Sequence, residues 1–169
     1  MKNFIAILTC LISFVVYSQE PTTNIYLIRH AEKADATTDP DLSDAGKLRT
    51  KKWADYFKDK HIEIYYNTPY KRTIQTVIGI SSLMIDATET KTVTLKYEVY
   101  APENLLINDV AKNNLGKSVL IVGHSDTIPA AVNKLIGSNV YKNIPENEFN
   151  NLYIITIRGS KITHSLVKI

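Results

Sequence analysis

The 169-residue chain has one cysteine, Cys10, within its first ten residues. From residue 19 onward there is no thiol, which excludes disulfides, cysteine nucleophiles and zinc–thiolate sites there. Histidine is nearly as scarce, with four residues. His61 precedes a strand-like run and His164 lies in the last apolar segment. Neither has a partner at metal-ligand spacing, so both read as structural or exposed, and no metal or other cofactor is expected. Strong charge of one sign is also missing. The formal net charge is +3, and no basic stripe with interleaved aromatics exists to argue for nucleic acid. No apolar run is long enough for a comfortable membrane span. Internal repeats and low-complexity segments are absent. A composition of 44% hydrophobic and 22% charged residues suits one globular domain with a sizeable core.

The apolar run that does exist near the start is Phe4 to Val16, broken only by Thr9 and Ser13. It follows the short basic start Met1-Lys2-Asn3, and Val16 and Ser18 sit at the cleavage offsets. This is a signal-peptide plan, residues 1–18, with residues 19–169 as the mature domain. Removing Lys2 lowers the net charge from +3 to +2. The implied destination is a bacterial periplasm or the medium, with no stable membrane insertion after cleavage. Thr9 before Cys10 argues against a lipoprotein signal.

Ile25-Tyr26-Leu27-Ile28 has the continuous apolar character of a strand buried on both faces, and it ends in Arg29-His30. Ala31 to Pro40 is a loop. Ser43 and Asp44 open a helix as N-cap and first-turn acid, with Ala45, Leu48, Trp53, Ala54 and Phe57 as its buried face. Gly46, near that first turn, allows close approach to a neighbouring backbone. Ile62–Tyr66 is a strand, Asn67-Thr68-Pro69 breaks it, and a helix runs over 70–83. A short strand at 93–95, irregular chain at 97–102 and a helix at 103–113 precede the apolar strand 118–122, which ends in Gly123-His124. A helix over 127–136 stops at Gly137. After a polar loop at 138–151, strands at 152–157 and 161–169 form a hairpin through Gly159-Ser160. The alternation to residue 136 predicts a three-layer α/β/α fold with a mostly parallel sheet and a C-terminal antiparallel hairpin.

Parallel strands present their carboxyl ends on one side, so His30 and His124 can face one crevice. Arg72 lies in the first turn of the helix after Pro69, where helix N–H groups collect anions. Two arginines, two histidines and a helix start describe a phosphate pocket, because guanidinium matches phosphate oxygens with paired hydrogen bonds. Gly123-His124-Ser125 starts like a serine-hydrolase elbow, but Thr127 stands where that pattern needs glycine.

Leu27-Ile28-Arg29-His30-Ala31-Glu32, Leu42-Ser43-Asp44-Ala45-Gly46, Asn67-Thr68-Pro69-Tyr70-Lys71-Arg72-Thr73-Ile74-Gln75-Thr76 and Val122-Gly123-His124-Ser125 together resemble the signature segments of the histidine phosphatase superfamily, the phosphoglycerate-mutase-like group. The resemblance implies a metal-independent phosphatase for phosphomonoesters, small or on a surface. His30 would be the nucleophile that becomes phosphohistidine, and Arg29, Arg72 and His124 would hold the phosphoryl oxygens. Glu98 is the first candidate for the proton donor, with Asp126 and then Glu32 as alternatives. A phosphohistidine-protein phosphatase, a mutase-like phosphotransferase and a non-catalytic phosphate or phosphosugar binder are the other functions such residues could serve.

Overall fold

The computed structural model describes residues 20–86, 96–99 and 107–169. The segment proposed as a signal peptide, residues 1–18, lies outside the described residues. The strands are β1 (Thr22–Arg29), β2 (Ile64–Asn67), β3 (Lys96–Val99), β4 (Ser118–Gly123), β5 (Asn151–Arg158) and β6 (Lys161–Lys168). The helices are α1 (Asp44–Phe57), α2 (Lys71–Asp86), α3 (Ile107–Asn113) and α4 (Thr127–Ile136). One sheet runs in the order β3-β2-β4-β1-β5-β6. The first four strands in that order are parallel, and β5 and β6 add antiparallel pairs.

Strand alternation divides the core in two. Ile25 and Leu27 of β1 point to one face, with Val119 and Ile121 of β4, and are covered by Val110 of α3 and Ile128 and Val132 of α4. Tyr26 and Ile28 point to the other, with Leu120 and Val122, and meet Trp53 and Phe57 of α1 and Val77 and Ile80 of α2. Both faces of the central strands are therefore dry, which is why β1 and β4 are continuously apolar in sequence. Handedness then fixes the layering. From β1 to β2 to β3 the chain steps one way along the sheet, with α1 and α2 on one face. From β3 to β4 it steps back, and a right-handed crossover must use the opposite face, where α3 lies. The helices after β1 and β4 thus leave on opposite sides. This opens a crevice beyond the carboxyl ends of two neighbouring strands.

The elements differ from the sequence expectation in two places. The third strand lies at 96–99, whereas 97–102 was expected to be irregular and the expected strand at 93–95 falls outside the described residues. Lys96–Val99 gains strand geometry by pairing with β2 along the sheet edge, a tertiary cause that local composition does not report. Of the helix expected over 103–113, only Ile107–Asn113 is described. The second difference is the buried stripe of α1, which is Gly46, Thr50, Trp53, Ala54 and Phe57 rather than one containing Ala45 and Leu48. Leu48 is 59% exposed. The cause is close backbone approach: a side chain at Gly46 would run into the Glu32 carbonyl, and one at Gly79 of α2 would run into Thr50. Small residues at these crossings set the rotation of α1.

Candidate active site

The pairing register builds the site. β1 and β4 pair in parallel with Arg29 opposite Gly123, so His30 and His124 each follow at the same level. The His30 N–H donates to the Gly123 carbonyl at 2.9 Å, which carries the pairing one step beyond the strands. The two imidazole rings lie edge to face, centroids 5.5 Å apart. β2 pairs with β4 on its other side, with Asn67 opposite Val122. Thr68 and the start of α2 therefore arrive at the same end of the sheet. A cavity of about 340 Å³ is lined by Arg29, His30, Lys33, Tyr70, Arg72, His124, Ser125, Asp126, Thr127 and Glu146.

His30 is buried, and its Nδ1 lies 2.8 Å from the Ala31 carbonyl oxygen. A carbonyl only accepts, so Nδ1 carries the hydrogen and Nε2 keeps its lone pair. Burial pushes the His30 pKa down to about 3. The Ala31 bond opposes that shift, while Arg29, His124 and Arg72 add to it. The ring is neutral at any ordinary pH.

His124 is held differently. Its Nε2 lies 3.0 Å from Thr68 Oγ1, which lies 2.9 Å from Thr73 Oγ1. The one hydroxyl hydrogen of Thr73 goes to the carbonyls of Thr68 and Tyr70, both at 2.8 Å. The hydrogen between the two threonines must then be Thr68's, which leaves His124 Nε2–H as the donor to Thr68. Burial pushes the His124 pKa down to about 4, helped by Arg72 and Arg29 and opposed by Asp126. Tyr70 packs edge-on against the His124 ring.

The two arginines are anchored before any ligand arrives. Arg29 is 3% exposed, and its Nη1 donates to the carbonyls of Pro145, Glu146 and Glu148 at 2.9, 3.0 and 3.2 Å. Its Nη2 donates to Glu146 Oε2 at 2.6 Å, and its guanidinium carbon sits 4.3 Å from the Phe149 ring centroid. Arg72 reaches the Thr38 carbonyl at 3.4 Å and Asp39 at 3.8 Å, and it stacks on Tyr70. Each arginine leaves a buried Nε–H with no hydrogen-bond partner among the described residues. A buried unpaired donor costs about 1–3 kcal/mol, more when charged.

The residues behind Arg72 do positioning work. Thr76 Oγ1 donates to the Arg72 carbonyl at 2.6 Å and accepts the Ala31 N–H at 3.0 Å. Gln75 ties α2 to the loop through the Leu42 N–H and Asp41. Ser43 caps α1, accepting from the Gly46 N–H at 3.0 Å while its own N–H donates to the Glu32 carbonyl at 2.9 Å.

The candidate acids are placed differently from one another. Glu32 is not among the residues lining the cavity. Its Oε1 accepts from Arg49 Nε at 2.9 Å and Nη2 at 2.6 Å. Asp126 lines the cavity and is exposed, with one oxygen capping α4 through the Thr127 N–H at 2.8 Å. The backbone of Glu98 pairs with Tyr66, one residue before the carboxyl end of β3, and its side chain lies outside the described residues. His61 is exposed in a left-handed backbone with φ 50°, and His164 is exposed and bonded to the Tyr141 hydroxyl at 2.8 Å. Both lie away from the cavity lining.

Thr68, Tyr70, Ser125, Glu146 and Phe149 are site residues that sequence reasoning missed. Thr68 and Tyr70 stand inside the Asn67–Thr76 motif and were within reach. Glu146 and Phe149 lie in the polar loop at 138–151, where only Pro145 gave any signal, and that was for a turn.

Residues 25–92 match the family model described as Histidine phosphatase superfamily (branch 1). A curated relative, Phosphoserine phosphatase 1 of Hydrogenobacter thermophilus, is 34% identical over 64 residues, which are 34% of this chain and 30% of that protein. The chain therefore spans about a third of the length of that relative. Among solved structures, the protein histidine phosphatase SixA complexed with tungstate superposes with a TM-score of 0.63 at 19% identity, covering 86% of this chain and 96% of that one. A phosphoglycerate mutase from Bacillus anthracis superposes with a TM-score of 0.65 at 14% identity, covering 88% and 94%. At these identities the structures establish a shared fold. Over residues 25–92 the chain is similar to the histidine phosphatase superfamily, branch 1.

Proposed function

We propose that the chain is a phosphatase that hydrolyses phosphomonoesters through a phosphohistidine on His30. The observation that carries this is the tautomer of His30. Its Nδ1–H is spent on Ala31, so the lone pair of Nε2 is available within a cavity that two arginines also line. Nε2 attacks phosphorus as the ester P–O bond breaks, and the leaving alkoxide takes a proton from an acid. Water then attacks phosphorus, the P–N bond breaks, its electrons return to Nε2, and the water proton restores the acid. Arg29 and Arg72 stabilise the charge that builds on the phosphoryl oxygens, and His124 joins them once that charge has drawn a solvent proton onto its Nδ1. The guanidinium groups carry the positive charge that this route needs.

Glu98 remains the first assignment for the acid, supported by its place near the carboxyl end of β3, and Asp126 the second, supported by its place in the cavity wall. A donor is needed most when the leaving group is poor. Glu98→Gln should therefore lose far more rate on an alkyl phosphate than on an activated aryl phosphate, and equal losses would reject the assignment. Export belongs to the same proposal, supported by the signal-peptide plan of residues 1–18. N-terminal sequencing of the protein made in a bacterium should begin at Gln19, and a retained Met1 would refute export. No helix among the described residues is long and apolar enough to cross a membrane. Turnover of a chromogenic phosphomonoester separates an enzyme from a phosphate-binding protein. Burst labelling of His30 supports the phosphatase, and tight phosphate binding without turnover refutes it.

A further inference from the structure

Glu146 is the one acid in the cavity wall that contacts a phosphate-binding arginine directly. Its Oε2 accepts from Arg29 Nη2 at 2.6 Å and its Oε1 from Ser125 at 3.0 Å, while the side chain itself is 78% exposed. The donor inventory of Arg29 makes this contact consequential. The two hydrogens of Nη1 are shared among three main-chain carbonyls. An anion must therefore bind along the Nε–Nη2 edge, and Glu146 already holds part of it. A phosphoryl group can displace the carboxylate or sit beside it. In either case a negative charge stays at the cavity wall, held by Ser125. Asp126, the next residue, adds a second, and Lys33 is the lone exposed cation among the lining residues.

Resting on the phosphatase reading above, we propose that Glu146 is a specificity-determining residue. It competes with the phosphoryl group for Arg29 and favours phosphomonoesters whose alcohol carries an amine close to the ester. The ammonium of such a substrate meets the displaced carboxylate and offsets the competition. A substrate with a second anionic group meets repulsion instead. Ser125 holds the carboxylate in place after displacement, so the effect lasts through the chemical step.

The test uses the full mature chain, the Glu146→Gln variant and, as a second variant, Glu146→Ala. An exposed side chain leaves folding intact in both, which thermal melting checks. Titration calorimetry with inorganic phosphate should show binding about fivefold tighter in both variants, the scale of a solvent-exposed ion pair. The ratio of kcat/KM for phosphoethanolamine to that for phosphoglycolate should fall about tenfold, since one attraction and one repulsion vanish together. Equal or weaker phosphate binding in the variants, or an unchanged ratio, overturns the role of Glu146 and leaves the phosphatase reading standing. Failure of the parent protein to bind phosphate or turn over either ester overturns both.

Discussion

Replacing Thr68 by valine tests how the second histidine is held. Valine keeps the shape of threonine and removes only the hydroxyl. Thr68 is fully buried, and that hydroxyl sits between His124 Nε2 at 3.0 Å and Thr73 Oγ1 at 2.9 Å. Its loss leaves the His124 Nε2–H facing a methyl group. An unsatisfied buried donor costs about 1–3 kcal/mol. The ring can escape part of this by moving its hydrogen to Nδ1 or by rotating, and both remove the Thr68-held Nε2–H on which the doubly protonated ring facing the phosphoryl group depends. If about 1.5–2 kcal/mol of the penalty appears in the transition state, kcat/KM falls by about 10- to 30-fold. Steady-state kinetics on an activated aryl phosphate measure this, and the activated leaving group removes any dependence on the proton donor. Nitrogen-15 chemical shifts of the imidazoles supply the readout that a general packing defect would not move. In the parent, His124 should show a protonated Nε2 and His30 a protonated Nδ1. In Thr68→Val the His124 signals should move toward the other tautomer while those of His30 stay put. An unchanged kcat/KM with unchanged His124 shifts would refute the hydrogen-bond assignment.

Gly46→Ala should lower stability by about 1–3 kcal/mol in denaturant titration, because its methyl would run into the Glu32 carbonyl. Helix propensity alone predicts a gain of about 1 kcal/mol from the same change, so the sign decides between packing and propensity. Glu32→Gln breaks the half-buried pair with Arg49 and should cost about 1–2 kcal/mol, while the rate ratio between alkyl and aryl phosphates stays at the parent value. A selective loss on alkyl phosphates would instead favour Glu32 as proton donor. For pH, the pKa values of His30 and His124 are lowered from 6.5 to about 3 and about 4, so between those values the unfolded chain binds more protons. Their contribution to stability is present above pH 6.5 and is lost as the pH falls toward 4 and then 3. The Tm should drop over that window, and His30→Gln should flatten the drop; a Tm independent of pH there would contradict the buried neutral rings.

The apolar runs ending at His30 and His124 made the central strands visible, because a strand dry on both faces needs no partner to be recognised. The Ser43 cap and the Gly137 stop were equally local and stand as expected, with Gly137 at φ 67°. Residues 97–99 were misread as irregular because the strand geometry there comes from pairing with β2, which no short window contains. The α1 stripe was misread because apolar character suggested Leu48, whereas close contact at Gly46 and Thr50 decides the rotation. At the site, the four residues Arg29, His30, Arg72 and His124 were legible from strand ends and motif spacing. The anchors of Arg29 were not. Three of them are main-chain carbonyls of a loop more than a hundred residues away, and a carbonyl leaves no mark in the side-chain sequence.

The central claim is covalent catalysis by His30, and rapid-quench labelling of the protein with a radiolabelled phosphomonoester tests it most directly. The account predicts an enzyme-bound phosphoryl group that forms within one turnover, is released by acid, survives alkali and is absent from His30→Ala. Label that persists in His30→Ala, or turnover by His30→Ala at the parent rate, would contradict it.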